Sequence, residues 1–386
     1  MKPKSELFNG LINNINILDY AYKILAYRNN SRVRNIVCKL QTIDPIMNYE
    51  KFREEMLKFP VNATELRMKY VSAESELYGH FNAIVKYSNL GKVNVRGILV
   101  EHGVNFSVSN FNKIFLDSNA IIICQSDYKR ALVHHCIPNK PVFSIGPYVY
   151  YAEDYYSEEE YKHVKERFGK CVLVYTNHTW ELSELDRNYH KHYEKIIKRY
   201  ENDYDKILFC VYWHDVNDKL YDLLAQHPKV QLVSAGFRVD PLFMNRTKSL
   251  INISDRVAVT GIGTCVGYAI CLGKKVDYID CSDECVVTTM NDLELKRDSE
   301  NKDGVISALV NGNENEVAEA YNKFWGGANI KTQKEMKEIL LGASEIIEKS
   351  CGKKTDFLAV SRRLLKRWEV EKPERYKLFN EAMYDL

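Results

Sequence analysis

The sequence predicts an α/β protein: two doubly wound parallel sheets, each in its own domain, followed by a helical segment. Apolar runs of strand length alternate with helical stretches in two separate spans, the pattern of parallel strands joined by helices. The length, 386 residues, suits two domains that each bury a core. Residues 254–276, SDRVAVTGIGTCVGYAICLGKKV, run from a strand (Val257 to Thr260) through a turn with Gly261 and Gly263 into an almost wholly apolar helix. That helix stops at Gly273, and Val276 starts another strand.

In order along the chain, the first 90 residues read mostly as helix, broken by one strand at Asn35 to Ile43 and by stops at Pro45 and Pro60. VNVRGILVEHG is a strand ending at His102-Gly103. NAIIICQSDYKRALVHHC is a buried strand passing into a helix that ends at His134 and His135, and KPVFSIGPYVYY is a strand closed by a glycine-proline turn. The acidic stretch AEDYYSEEEYKHVKERFGK is a helix with Gly169 as its stop, and the domain boundary falls inside it. CVLVYTNHT, KILFCVYWHD and VQLVSAG are then strands, each followed by a helix. Residues 254–276 add a strand and a helix, and KKVDYID a fifth strand, which completes one Rossmann-like domain. From Gly304 the chain is helical to its end, and no repeat of solenoid period or low-complexity tract is present. The expected domains are 1–165, 166–350 and a C-terminal helical segment, 351–386, packing back towards the first.

Composition excludes some function classes. A net charge of +2 with 27% charged residues lacks the positive excess of a nucleic-acid binder. No run reaches the roughly 18 apolar residues of a membrane span. MKPKSELFNG has no apolar signal core, so a cytoplasmic protein is expected. Ten cysteines occur without any C-x-x-C, and Cys38, Cys124, Cys171, Cys210, Cys265 and Cys271 sit in apolar runs as reduced thiols. Cys281 and Cys285 match no common metal spacing, and Asp277, Asp280, Asp283 and Glu284 read as solvated carboxylates at a strand end. No metal and no cofactor is expected.

Ligands of parallel sheets bind beyond the carboxyl ends of the strands. There Gly261 and Gly263 let the backbone approach a ligand, and Thr264 can cap the helix with the amides near Cys265 pointing outwards, which suits a phosphate. The alternative is that these glycines serve only close strand-to-helix packing. The turn is neither G-x-x-x-x-G-K-[ST] nor G-x-G-x-x-G, since Val266 stands at the third glycine's place, so an ATPase and a dinucleotide enzyme are disfavoured. Thr176-Asn177-His178-Thr179, His214-Asp215 and Gly236-Phe237-Arg238 end other strands on the same edge. Singly, His178 and His214 also read as loop histidines, and Arg238 as the ion-pair partner of an Asp240 that caps the next helix.

Two Rossmann-like halves, a late His227-Pro228 and the 254–276 segment resemble the nucleotide-sugar domain of GT-B-fold glycosyltransferases, in particular bacterial enzymes that build capsule, lipopolysaccharide and other surface polysaccharides. Asp255, Gly263, Thr264, Ala269, Gly273 and Lys274 match that family's donor-phosphate segment; Lys275 stands where proline is usual, and no ribose-binding Glu precedes Asp277. The resemblance implies two domains facing across a cleft and a nucleotide-sugar donor whose phosphates sit at Gly261, Gly263, Thr264 and Cys265, with Arg238, His178 and His214 around them. His227 reads either as a donor contact or as a helix stop. It further implies a glycan or lipid-linked acceptor, metal-independent inverting transfer, and peripheral contact with the inner face of a membrane. His102, with Glu101 beside it, is the candidate general base, because histidine titrates near neutral pH and an HG after an apolar strand recurs in polymerising transferases of similar fold; the alternative is a turn histidine bonded to backbone. The alternatives are a nucleotide-sugar 2-epimerase of the same fold and a non-catalytic carbohydrate- or nucleotide-binding subunit.

Overall fold

The computed structural model describes residues 38–58, 73–91, 93, 97–101, 103–104, 106, 119–177, 185–186, 189–217, 219–281, 285–286, 292–351 and 356–384. Strands are β1 (Ile98–Val100), β2 (Ile121–Cys124), β3 (Val142–Ser144), β4 (Cys171–Tyr175), β5 (Leu185–Asp186), β6 (Lys206–Cys210), β7 (Val230–Val233), β8 (Arg256–Val259), β9 (Val276–Tyr278) and β10 (Cys285–Val286). Helices are α1 (Tyr49–Met56), α2 (His80–Tyr87), α3 (Asp127–Cys136), α4 (Glu158–Phe168), α5 (Tyr189–Tyr200), α6 (Lys219–Leu224), α7 (Phe243–Ile253), α8 (Thr264–Cys271), α9 (Asp292–Asn311), α10 (Glu314–Trp325), α11 (Gln333–Lys349), α12 (Phe357–Glu371) and α13 (Pro373–Tyr384). The described residues form two compact units, unit 1 drawn from Asn62–Tyr151 and Asn322–Leu386, unit 2 from Val33–Val61 and Ala152–Tyr321. None of the described helices is long and apolar enough to cross a membrane.

Unit 1 holds a parallel three-stranded sheet in the order β1-β2-β3. All residues of these strands are buried, as they must be in a sheet covered on both faces. Cover comes from both ends of the unit's sequence. Ser126 caps α3 by accepting from Lys129 N, and α2 packs on α11. The last helix reaches β3, where Phe379 meets Phe143 edge-on with ring centroids 4.8 Å apart and meets Trp368 at 4.9 Å. Glu345 ties these last helices together: its carboxylate accepts from Trp368 Nε1 (3.1 Å), Lys372 Nζ (2.9 Å), Arg375 Nη1 (2.9 Å) and Arg367 Nη2 (3.1 Å). Burial alone would raise its pKa, but Lys372, Trp368 and Arg367 outweigh that and hold it below the usual carboxylate value.

Unit 2 holds a fully parallel five-stranded sheet in the order β7-β6-β4-β8-β9, built from the five consecutive strands the sequence predicts. A two-stranded antiparallel ribbon of β5 and β10, too short to show in the apolar pattern, accompanies it. The Asn35 to Ile43 strand is not found: residues 38–41 are helical, and a turn follows with Thr42 N bonded to Lys39 O and Ile43 N to Leu40 O. Leu40, Ile43 and Ile46 are spaced by three, which such turns bury on one side.

The limits of the units also differ from expectation, for reasons of packing. Helix α4 is in unit 2 because Tyr161 OH donates to Asn252 O (3.0 Å) and Lys165 Nζ to Ile253 O (2.7 Å) at the end of α7. The segment before it joins unit 2 through Arg53 Nε to Val216 O (2.8 Å) and Tyr156 OH to Asp44 Oδ2 (2.7 Å). The return to unit 1 starts at Asn322, well before residue 351, because α11 lies against the strand entry at Gly97 through Ile347.

Two outcomes follow. Gly326 has φ +68°, and a Cβ there would sit 2.1 Å from the backbone oxygen of Gln125, so Gly326→Ala is expected to cost about 1–3 kcal/mol in urea denaturation. The Glu345 carboxyl is depressed in the folded state, so its stabilisation is present above the unfolded value of about 4.3 and is lost as pH falls through the lower folded value. Glu345→Gln is therefore expected to cost about 2 kcal/mol at neutral pH. The gap between parent and variant should narrow in melts below roughly pH 4.

Candidate functional site

Because all five strands of unit 2 are parallel, the residues after β4, β6, β7, β8 and β9 emerge on one edge. Strand order decides which of them are neighbours. The chain starts at β4, adds β6 and β7 on one side, then crosses to add β8 and β9 on the other. The order therefore reverses between β4 and β8, where connections leave towards opposite faces and open a crevice. Thr176 and Asn177 flank it after β4, and residues Thr260 to Cys265 after β8.

Asn177 N donates to Thr260 Oγ1 (3.0 Å), which pins the two loops together. A Cβ on Gly261 would lie 2.0 Å from Asn177 Oδ1, so glycine is needed for the asparagine to pack there. At Gly263 a Cβ would meet nothing within 4 Å, so the chain there borders open space. Gly263, not Thr264, is the N-cap of α8, and it makes no side-chain cap bond; Thr264 is already the first helical residue. The expected threonine cap is thus replaced by a glycine, which has no oxygen to offer the first-turn amides. The rest of α8 is apolar, with Val266, Tyr268 and Ala269 buried. Burial pushes the Cys265 thiol up to about 12, outweighing the amides of Cys265 and Val266, so at neutral pH it is a thiol and no nucleophile.

A second group lies after β6 and β7. Trp213 is 4% exposed, with Phe237 edge-on at 5.0 Å, His214 edge-on at 5.3 Å and the Arg238 guanidinium 5.0 Å above its ring. His214 Nδ1 is 3.8 Å from Asp215 Oδ1. Asp240 pairs with Arg246, not Arg238: Arg246 Nη1 is 2.6 Å from Asp240 Oδ2, and both side chains are buried. Asp240 is also not the helix cap, since α7 starts at Phe243 and Leu242 is its N-cap. Strands β7 and β8 are three places apart, about 14 Å. Arg238 and Gly263 therefore serve different stretches of any ligand that reaches both.

Other candidates lie elsewhere. His227 sits between α6 and β7, at the amino edge of the sheet, where Nε2 is 3.4 Å from Glu201 Oε2 and Nδ1 accepts from Lys229 N (3.3 Å). Its place is that of the helix stop. Asp255 and Lys274, two of the matching motif residues, are also at that edge. Asp255 accepts from Cys171 N (2.8 Å) and Lys165 Nζ (2.7 Å), tying β8 to β4, and Lys274 Nζ donates to Asn252 O (2.9 Å) and Ser254 O (2.7 Å) at the end of α7. Asp277 is not a solvated carboxylate, because Arg256 (2.7 Å) and Tyr200 OH (2.8 Å) bind it; Asp283 and Glu284 lie outside the described residues. Among the described cysteines Cys38 is exposed, against the apolar setting expected of it, because only Leu40 of its turn faces inward.

In unit 1, Glu101 follows β1. Its N donates to Ile123 O (2.9 Å), and its carboxylate is 2.8 Å from Lys129 Nζ, with side-chain exposures of 12% and 4%. His102 and His178 lie outside the described residues. Sequence reasoning passed over Lys129 and Trp213. A lysine in the first turn of a helix opposes the macrodipole, so Lys129 three residues after the Ser126 cap was a signal for a nearby anion.

The Asn177–Gly261 contact predicts a coupling. Gly261→Ala alone is expected to lower stability by roughly 1 kcal/mol or more, and to do so far less in an Asn177→Ala background, as a double-mutant cycle by chemical denaturation would show. Additive effects would mean that the two residues do not constrain each other.

No family model and no curated protein matches the chain. Among solved structures it is similar to UDP-GlcNAc 2-epimerase from Neisseria meningitidis bound to UDP-GlcNAc, at 14% identity and a TM-score of 0.33, over 70% of this chain and 80% of that one. It is also similar to S. aureus MnaA in complex with UDP, at 11% identity and a TM-score of 0.37, over 70% of this chain and 79% of that one.

Proposed function

We propose that the chain is an enzyme acting on nucleotide sugars, with unit 2 holding the nucleoside diphosphate. The observation that supports this most is the crevice between β4 and β8, where the glycine turn leads into α8 without a side-chain cap and borders open space at Gly263. The first-turn amides and the positive end of the helix suit a phosphate there. The Arg238–Trp213 stack, two strands beyond β4, suits the far end of the same elongated ligand.

The reaction proposed is sugar transfer to a glycan or lipid-linked acceptor. The acceptor oxygen bonds to the anomeric carbon, the bond from that carbon to the diphosphate breaks with its electron pair going to phosphate, and the acceptor proton passes to a base. His102 is the proposed base and Glu101 its neighbour. Glu101, ion-paired with Lys129, serves as a positioning group. Amides at α8 would meet the charge developing on the departing phosphate, the kind of preorganised stabilisation that needs no metal. One observation favours 2-epimerisation as the second reading: two acids, Glu101 and Asp127, stand at the carboxyl edge of the unit 1 sheet, and that chemistry calls for acidic groups.

Incubation with a nucleotide-sugar panel that includes UDP-GlcNAc separates these readings. Transfer releases nucleoside diphosphate in step with a glycosylated acceptor; epimerisation inverts the sugar at C2 and keeps the nucleotide. Neither product from any donor would leave only the binding subunit. In thermal shift, UDP should raise the Tm of the parent, and Gly263→Ala combined with Thr264→Val should abolish the rise. Arg238→Met should weaken UDP about tenfold, the size of one lost hydrogen bond from a charged group. His102→Ala should lower turnover by roughly 10²- to 10⁴-fold with nucleotide affinity unchanged.

A further inference from the structure

Gln125 is the first residue after β2, the middle strand of the unit 1 sheet, and directly precedes the Ser126 cap of α3. It is 2% exposed, and among the described residues neither Oε1 nor Nε2 of its side chain has a hydrogen-bond partner. Its carbonyl accepts from Gly146 N (2.8 Å) and lies under Gly326. A buried polar atom without a partner costs about 1–3 kcal/mol, and methionine fills nearly the same volume without that cost. The sequence nevertheless places an amide here.

Other described polar groups at the same edge of the sheet are committed to one another. Glu101 and Lys129 form a close ion pair, and Ser144, ending β3, donates to Asp127, which also accepts from Asn329 Nδ2 (2.7 Å). Against these pairs, the Gln125 amide has both a donor and an acceptor to spare among the described residues. An anion would use only Nε2, and a cation only Oε1. Two vicinal hydroxyls use both, one accepting and one donating.

We propose that Gln125 binds a polyhydroxylated, uncharged ligand, a sugar or polyol, at the carboxyl edge of the unit 1 sheet. With the nucleotide-sugar reading of unit 2, on which this assignment of role rests, the ligand is the acceptor end of the reaction.

The test is Gln125→Met in the full chain, with three readouts: the Tm of the ligand-free protein, binding to an array of neutral mono- to tetrasaccharides, and thermal shift with UDP. The expected result is that the parent binds at least one neutral glycan, while the variant melts no lower than the parent and binds that glycan at least tenfold more weakly. A lower Tm for the variant would show that the amide has a structural partner and overturn the proposal. So would equal glycan binding by parent and variant, or no glycan bound by the parent. UDP binding is read separately in unit 2: its loss in the parent would remove the nucleotide-sugar reading, while the glycan and Tm results would still decide Gln125.

Discussion

Strand β4 is hydrogen-bonded along both edges, to β6 on one side and β8 on the other, and the rest of unit 2 depends on that double pairing. Residues Cys171 to Val174 are wholly buried, so every backbone group of this strand must find its partner in a neighbouring strand. The chain meets that demand by growing outward from β4 twice, first to β6 and β7 and then to β8 and β9. A crevice at the carboxyl end of the β4–β8 pair is the geometric consequence. Asp255 serves the same pairing from the other edge, holding the start of β8 to Cys171 N and Lys165.

Several charged groups around the sheet are committed to its architecture. Arg246 is spent on Asp240, Arg256 on Asp277, Lys165 on Asp255 and Lys274 on the carbonyls ending α7. The Arg246–Asp240 pair sits where burial would otherwise make a lone charge costly. The Arg238 guanidinium lies on the Trp213 face at the carboxyl edge of the sheet, and the N-cap of α8 makes no side-chain hydrogen bond. Half of the apparent motif is thus architecture, and the turn within it is the half that faces outward.

Unit 1 solves a different problem. Three strands of three or four residues bury little by themselves, and the C-terminal helices return to complete the cover of the sheet. Phe379 against Phe143, the Glu345 network and the close approach of Gly326 to Gln125 are the contacts of that return. Gly326 in that return closes on the backbone oxygen of Gln125, at the carboxyl edge where the unpartnered amide lies.

Much was legible in the sequence because it is local. Alternating apolar runs specify strands and helices, and the β8–turn–α8 unit lies within 23 consecutive residues, so its order and outward edge could be read directly. The five consecutive strands of unit 2 followed from the same periodicity. The tertiary structure decided what periodicity does not encode. Strand order put Asn177 beside Gly261 and Arg238 three strands away from β8, because a side chain's neighbours across a sheet depend on which strands pair. It moved His227, Asp255 and Lys274 to the opposite edge, and it gave residues 322–350 to unit 1, since a helix joins whichever core buries its apolar face. Partner choice was likewise settled in three dimensions: Asp240 faces both Arg238 and Arg246 in sequence, and only packing of α7 against its preceding loop brings Arg246 within 2.6 Å.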